Sequence, residues 1–194
     1  NKIIILSGDP NSINSELIYK SWCKINKSLK KKIYLISNYN LLKKQFKKLN
    51  YKLKIEKVKN LHQITTGYNL KVIDVNLEFD NAFDVKKTVA SQYVINSLKN
   101  AHLLALKNDV LGIINCPIDK KLLANKNIGV TEYFASRCGL KDNSEVMLIK
   151  GRNFSVSPMT THININDVPK KLKKENILKK VKTINNWFKK KYKK

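Results

Sequence analysis

Acidic residues are scarce in this chain: 14 aspartates and glutamates stand against 39 lysines and arginines over 194 positions. Arginine is scarcer still, limited to Arg137 and Arg152, so almost all of the +25 formal charge is carried by lysine. A groove that reads nucleic acid needs basic side chains on one face, interleaved with arginines or aromatics that reach bases. The lysines here are spread over 27–59, 170–182 and 189–194, which fits solvated helix surfaces better. Nucleic acid is therefore not the expected partner, although the excess charge still attracts phosphates and other anions. Cysteine is confined to Cys23, Cys116 and Cys138, with no C-x-x-C pair. That excludes a disulfide scaffold and suits a reducing compartment. No apolar run approaches the ~20 residues of a membrane span. The opening Ile3-Ile4-Ile5-Leu6 is too short for the apolar core of a signal peptide. No membrane partner is expected, and the cytoplasm is the expected location. The sequence has neither a G-x-G-x-x-G fingerprint nor a P-loop.

What is present is a hydrophobic content of 42%, ordinary for a globular protein. Residues 2–7 read as a buried strand, a β-branched run closed by turn residues. A polar loop follows over 8–15, where Ser12 or Asn14 could cap a helix carrying Leu17, Ile18, Trp22 and Ile25 on one stripe. A strand over 32–36 and a helix over 39–49 repeat the pattern. Residues 53–58 read as an edge or half-exposed strand and 71–75 as another short one. A long helix is expected over 84–107, then a central strand over 110–115 and short helices over 119–125 and 131–138. The segments 145–149 and 154–158 read as a hairpin, and 169–194 as a basic amphipathic helix packed on a sheet. Alternating strands and helices predict an α/β fold, a mostly parallel sheet with helices on both faces. The whole of 1–194 is expected to form a single α/β unit.

Polar clusters directly after apolar runs mark the ligand side of an open α/β sheet, outside the carboxyl ends of its strands. The first such cluster is Ser7-Gly8-Asp9-Pro10, and the second is Asn115-Cys116-Pro117-Ile118-Asp119-Lys120. Then come Gly129-Val130-Thr131-Glu132 and Thr160-Thr161-His162. A histidine at a strand end can ligate a divalent metal, act as a base, or simply be hydrogen-bonded there. Thr131 can offer a hydroxyl to a ligand, and Lys120 a point charge to a phosphate or carboxylate. His62 and His102 read as structural. Cys116 reads as a small apolar filler at the end of a buried strand.

The order and spacing of these clusters, together with Glu145-Val146-Met147-Leu148-Ile149, resemble the 4-hydroxythreonine-4-phosphate dehydrogenase family of vitamin B6 synthesis. The resemblance implies an isocitrate/isopropylmalate dehydrogenase-like fold, incomplete at the C-terminus, with this chain as the amino-terminal part of a two-domain enzyme. It implies oxidation of 4-phosphooxy-threonine, a phosphorylated hydroxy-amino acid, with hydride transfer to NAD and loss of carbon dioxide. It also implies a divalent cation (zinc, magnesium or cobalt) with His162 as a ligand, and substrate contacts from Thr131 and Lys120. A homodimer or a separately encoded C-terminal half is the expected partner, since the chain ends before the family's remaining metal histidines. Val130 departs from the pattern: it stands where the family carries a histidine, and valine has neither donor nor acceptor to offer. The loop after Gly8-Asp9-Pro10 also departs, with Asn11 to Glu16 in place of further glycines and a proline. The contrasting expectation from composition alone is a basic, non-enzymatic binding protein for nucleic acid or anionic surfaces.

Overall fold

The computed structural model describes residues 1–63, 65, 67–123, 129–139, 145–160 and 163–192. Backbone proximity groups the chain into two compact units, Asn1–Ile128 and Gly129–Lys194, where the sequence suggested one.

The first unit is built on five parallel strands: β1 (Lys2–Leu6), β2 (Ile33–Ser37), β3 (Ile55–Val58), β4 (Leu70–Asp74) and β5 (Val110–Asn115). They lie in the order β3-β4-β2-β1-β5. Parallel strands need crossover connections; α1 (Asn14–Lys24), α2 (Lys27–Lys32), α3 (Tyr39–Lys48) and α4 (Lys87–Ala105) supply all but the one from β3 to β4, which has no helix among the described residues. Because side chains alternate along a strand, the sheet has two apolar faces. Ile18 and Trp22 of α1 pack with Leu42 and Phe46 of α3 on Ile33, Leu35, Leu70 and Val72, with Ile3 and Ile5 alongside. Helix α4 contacts β1, β2 and β5. Its buried stripe of Ala90, Tyr93, Val94, Ser97, Leu98 and Ala101 follows helical spacing. Each fully buried Leu or Ile of this core contributes about 1.5–3 kcal/mol. The expected α/β class, with helices on both faces of a parallel sheet, is what the chain forms.

Several local expectations change. The strand read as central, β5, lies at one end of the sheet order. Its Leu111 and Ile114 are 66% and 55% exposed, and no strand among the described residues flanks its outer side. Ile13 holds the capping position of α1 without a side-chain bond, Ser12 Oγ accepts from the Asn14 N–H at 3.2 Å, and Asn14 lies inside the helix. A short helix, α2, precedes β2 where none was anticipated. The helix expected over 119–125 is a 3₁₀ turn, Lys120–Leu123, with 124 and 125 outside the described residues.

In the second unit, α5 (Val130–Arg137) is followed by Gly139 at φ +69°, a left-handed residue that ends a helix readily. The hairpin is present but short: β6 (Ile149–Lys150) pairs antiparallel with β7 (Ser155–Val156). The expected tail helix is two, α6 (Val168–Lys171) and α7 (Lys174–Tyr192). The apolar face of α7 does not sit on a sheet as expected, since Val181 is 54% and Leu178 48% exposed.

Candidate active-site face

The carboxyl ends of β1, β2 and β5 meet in a network of amide and hydroxyl groups. Gly8, the second residue after β1, has φ +71°. A Cβ there would lie 2.6 Å from the Pro117 carbonyl oxygen and 3.1 Å from that of Cys116. Glycine is needed twice over, for its backbone angle and for the close approach. That approach lets Asn14, at the start of α1, send Nδ2 to the Ser7 oxygen at 2.8 Å and to the Pro117 oxygen at 2.7 Å. The loop after β1 and the loop after β5 are thereby locked together.

Tyr93 of α4 ties in the neighbouring strand. Its hydroxyl lies 2.7 Å from Ser7 Oγ and accepts from the Asn38 backbone N–H at 3.1 Å. Asn38 caps α3 by accepting from the Leu41 N–H at 2.8 Å, and donates through Nδ2 to the Val75 oxygen at 2.9 Å. The altered loop has its own anchors. Asn11 clasps Val85, donating to its oxygen and accepting from its N–H, each at 2.8 Å. Gln45 reaches the Pro10 and Ala82 oxygens at 2.8 and 2.7 Å. Asn14 Oδ1 and Ser15 Oγ are buried with no hydrogen-bond partner among the described residues. Both residues line a polar cavity of about 10 Å³ with Ser7, Ser37 and Tyr93, the space of about one water.

Of the candidate residues, Lys120 stands exposed at the carboxyl end of the sheet, in a turn held by Leu122 N–H donating to the Asp119 oxygen at 2.9 Å. Ser91 of α4 fixes the same turn by donating to the Leu122 oxygen at 2.5 Å. Thr131 belongs to the other unit, exposed in the first turn of α5 beside Glu132, whose side chain folds back over Gly129. His162 lies outside the described residues. Cys116 packs against the core, and burial pushes its thiol up to about 11. A thiol held that far from its ionised form is a filler rather than a nucleophile. His62 meets Lys2 and Asp109 at the opposite end of β1. Among the described residues, no group of three or more His, Cys, Asp or Glu side chains is placed to hold a metal ion.

Asn38, Tyr93, Asn11 and Gln45 were not singled out from the sequence as site residues, and Asn14 was considered only as a helix cap. The one signal available was the placing of Asn and Ser directly after strands, which marks turns and caps without revealing their distant partners.

A family model described as pyridoxal phosphate biosynthetic protein PdxA matches residues 12–194. The chain belongs to that family. The 4-hydroxythreonine-4-phosphate dehydrogenase of Sulfurihydrogenibium sp. is 32% identical over 198 residues, covering 98% of this chain and 59% of that protein. The Aquifex aeolicus protein of the same name is 36% identical over 196 residues, with 99% and 59% covered. This PdxA-family chain therefore spans about three-fifths of the length of the curated relatives it matches. A solved structure described as a putative 4-hydroxythreonine-4-phosphate dehydrogenase from Salmonella typhimurium superposes with a TM-score of 0.85 at 22% identity. It covers 97% of this chain and 59% of that one, and establishes the shared fold. A Burkholderia phymatum structure gives a TM-score of 0.79 at 20% identity.

Proposed function

We propose that this chain supplies the amino-terminal part of a 4-hydroxythreonine-4-phosphate dehydrogenase, oxidising a phosphorylated hydroxy-amino acid with NAD in the cytoplasm. The observation that carries this reading is an unbroken likeness, over nearly the whole chain, to relatives bearing that name. The carboxyl-end network supports it. Open α/β sheets bind ligands on that side, and here the loops after β1 and β5 are locked in place by Asn14 and Gly8. In this reading Lys120 offers its ammonium to the substrate phosphate or carboxylate, and Thr131 its hydroxyl. A lysine acts there as a point charge, which suits a phosphate without fixing its orientation. Val130 leaves one expected polar contact unmade, so affinity for substrate falls below that of a relative with histidine there.

The reaction joins hydride transfer to the nicotinamide with loss of the substrate carboxylate as carbon dioxide. The metal expected with it is divalent, and His162 is one proposed ligand. The described residues alone form no metal-binding set. The family resemblance assigns the remaining ligands to the portion of the family fold that this chain does not span.

Completion is part of the reading, by a second copy of the chain and by the C-terminal portion of the family fold, whichever chain carries it. Exposed apolar side chains support it, among them Phe154, Ile165 and Val181 of the second unit; large apolar groups left at a surface suit burial against a partner.

The test is NAD reduction with 4-phosphooxy-threonine and zinc, magnesium or cobalt. The purified chain is assayed alone, and again with the complementary C-terminal portion of the Aquifex aeolicus relative. Little turnover alone and clear turnover with the complement are expected. Full activity of the chain by itself would overturn the need for completion. Inactivity under both conditions, with the complement bound, would overturn the dehydrogenase reading.

A further inference from the structure

The opposite end of the same sheet holds a second, chemically distinct site. At the amino ends of β1, β2 and β4 lies a cleft of about 630 Å³ lined by Lys2, Lys30, Lys31, Lys71, Tyr34 and Tyr68, among others. Lys71 is its anchor. It is only 4% exposed although it carries a full charge in its ordinary state. Its position follows from register: Lys71 on β4 pairs with Tyr34 on β2, so both side chains leave the same face of the sheet. The ammonium sits 4.1 Å from the Tyr34 ring centre and donates to the Lys31 backbone oxygen at the end of α2.

Those contacts leave the ammonium without a directly paired carboxylate, although Glu56 acts on it from a distance. Glu56 is the register partner of Lys71 on β3, but its carboxylate accepts from Asn69 at 3.4 Å. Among the described residues, no carboxylate lies within ion-pair distance of Lys71. An ammonium has three donors; one meets the Lys31 oxygen and the ring attracts the cation, which leaves donor capacity toward the cleft. Burial presses its proton affinity down most; Glu56 raises it in part and the nearby Lys2 lowers it again, with a net shift downward. Buried charges are normally paired or ligand-bound, because an unpaired one is costly. Around this anchor stand Lys30 and Lys31, with the Lys31 ammonium resting 5.7 Å from the exposed Tyr68 ring. Lys2 is partly neutralised by Asp109 at 2.5 Å.

We propose that this cleft binds a compact oligophosphate, with Lys71 and Lys31 as its principal contacts and Lys30 at the rim. Lysines suit phosphates as point charges without the fork geometry of arginine. Several ammonium groups around one cleft call for an anion with more than one phosphate. The ligand is either a free phosphate chain or the phosphate tail of a nucleotide, and the chemistry read is common to both. The site is separate from the carboxyl-end face, so it does not depend on the dehydrogenase reading.

Calorimetric titration of the full chain with inorganic tripolyphosphate, at about 0.15 M salt to screen diffuse attraction, tests this. One saturable site is expected. Lys71→Met and the double variant Lys30→Ala/Lys31→Ala should each weaken binding by about tenfold or more. Lys189→Ala/Lys190→Ala, which removes equal charge from α7, should change it by no more than about twofold. Circular dichroism establishes that Lys71→Met is folded; should it not be, the exposed double variant decides alone. A nucleoside triphosphate arm separates the sources: equal affinity means only the phosphate chain is read, and tighter binding means the base is read as well. Binding without saturation would overturn the site. So would equal losses from the α7 variant, or an oligonucleotide that displaces tripolyphosphate at lower phosphate concentration.

Discussion

Asn14 donates to the Pro117 carbonyl at 2.7 Å across 103 positions of sequence, using the same amide nitrogen that reaches the Ser7 oxygen. One side chain therefore fixes where the chain leaves β1 relative to where it leaves β5. Replacing it with alanine strands two carbonyls, one of them buried, at a cost of about 2 kcal/mol. Asn14→Asp should be worse than Asn14→Ala, because a carboxylate would face both oxygens with nothing to donate. Urea unfolding of the two variants measures the difference and its sign.

Gly8→Ala meets two obstacles at once. Its φ of +71° disfavours any Cβ, and that Cβ would fall 2.6 Å from a backbone oxygen that cannot swing aside. A loss of about 2–3 kcal/mol is expected, with a lower Tm in a thermal melt. Gly67 provides the control: it shares a positive φ of +81° but has nothing within 4 Å of the Cβ position, so alanine there should cost less.

Tyr93→Phe keeps the ring in the core and removes only the hydroxyl. Ser7 Oγ and the Asn38 N–H then lose a buried partner at 2.7 and 3.1 Å. The cost should be about 1–3 kcal/mol. Hydrogen exchange at Asn38 provides the local readout, and faster exchange there is expected.

Lys71 should leave a signature in alkaline solution. Its folded pKa is lowered from 10.5, chiefly by burial, so the unfolded chain holds that proton more firmly. Between the folded and unfolded pKa values the unfolded state binds more protons, and stability rises with pH in that window. Below both values the penalty for burying the ammonium is present in full. Denaturant melts across the alkaline range should show this rise in the wild-type chain. Lys71→Met should lack that increment, and a parallel rise in both proteins would refute the assignment.

How much of this was legible in the sequence follows from the range of each interaction. Strands β1 and β2 and helix α4 were readable because burial imprints a local period: Ile3 to Leu6 as a continuous run, Tyr93, Val94 and Leu98 at helical spacing. The place of β5 in the sheet was not, because an apolar run such as Val110 to Ile114 looks the same at the centre as at the end. The seat of α7 failed for a similar reason, since its stripe of Ile177, Val181 and Ile184 states that a surface is wanted without naming it. On the site face, Lys120 was found through a motif, whereas Asn14 was read only as a cap and Asn11 only as part of an altered loop. Their amides act on residues 103 and 74 positions away, and nothing adjacent to them in sequence records that. Lys71 was one lysine among many until strand register set it against Tyr34.

The outer side of β5, which no strand among the described residues flanks, gives the lysine excess a second meaning. The Cys116 N–H donates to the Leu6 oxygen at 3.0 Å, and alternation along the strand therefore turns the amides of Ile113 and Asn115 outward. Such a row is a template for pairing with another chain. A formal charge of +25 makes two copies repel before their strands can meet. Concentrated salt, which shortens the reach of that repulsion to about 3 Å at 1 M, removes the guard, so the lysine coat doubles as a device for colloidal solubility.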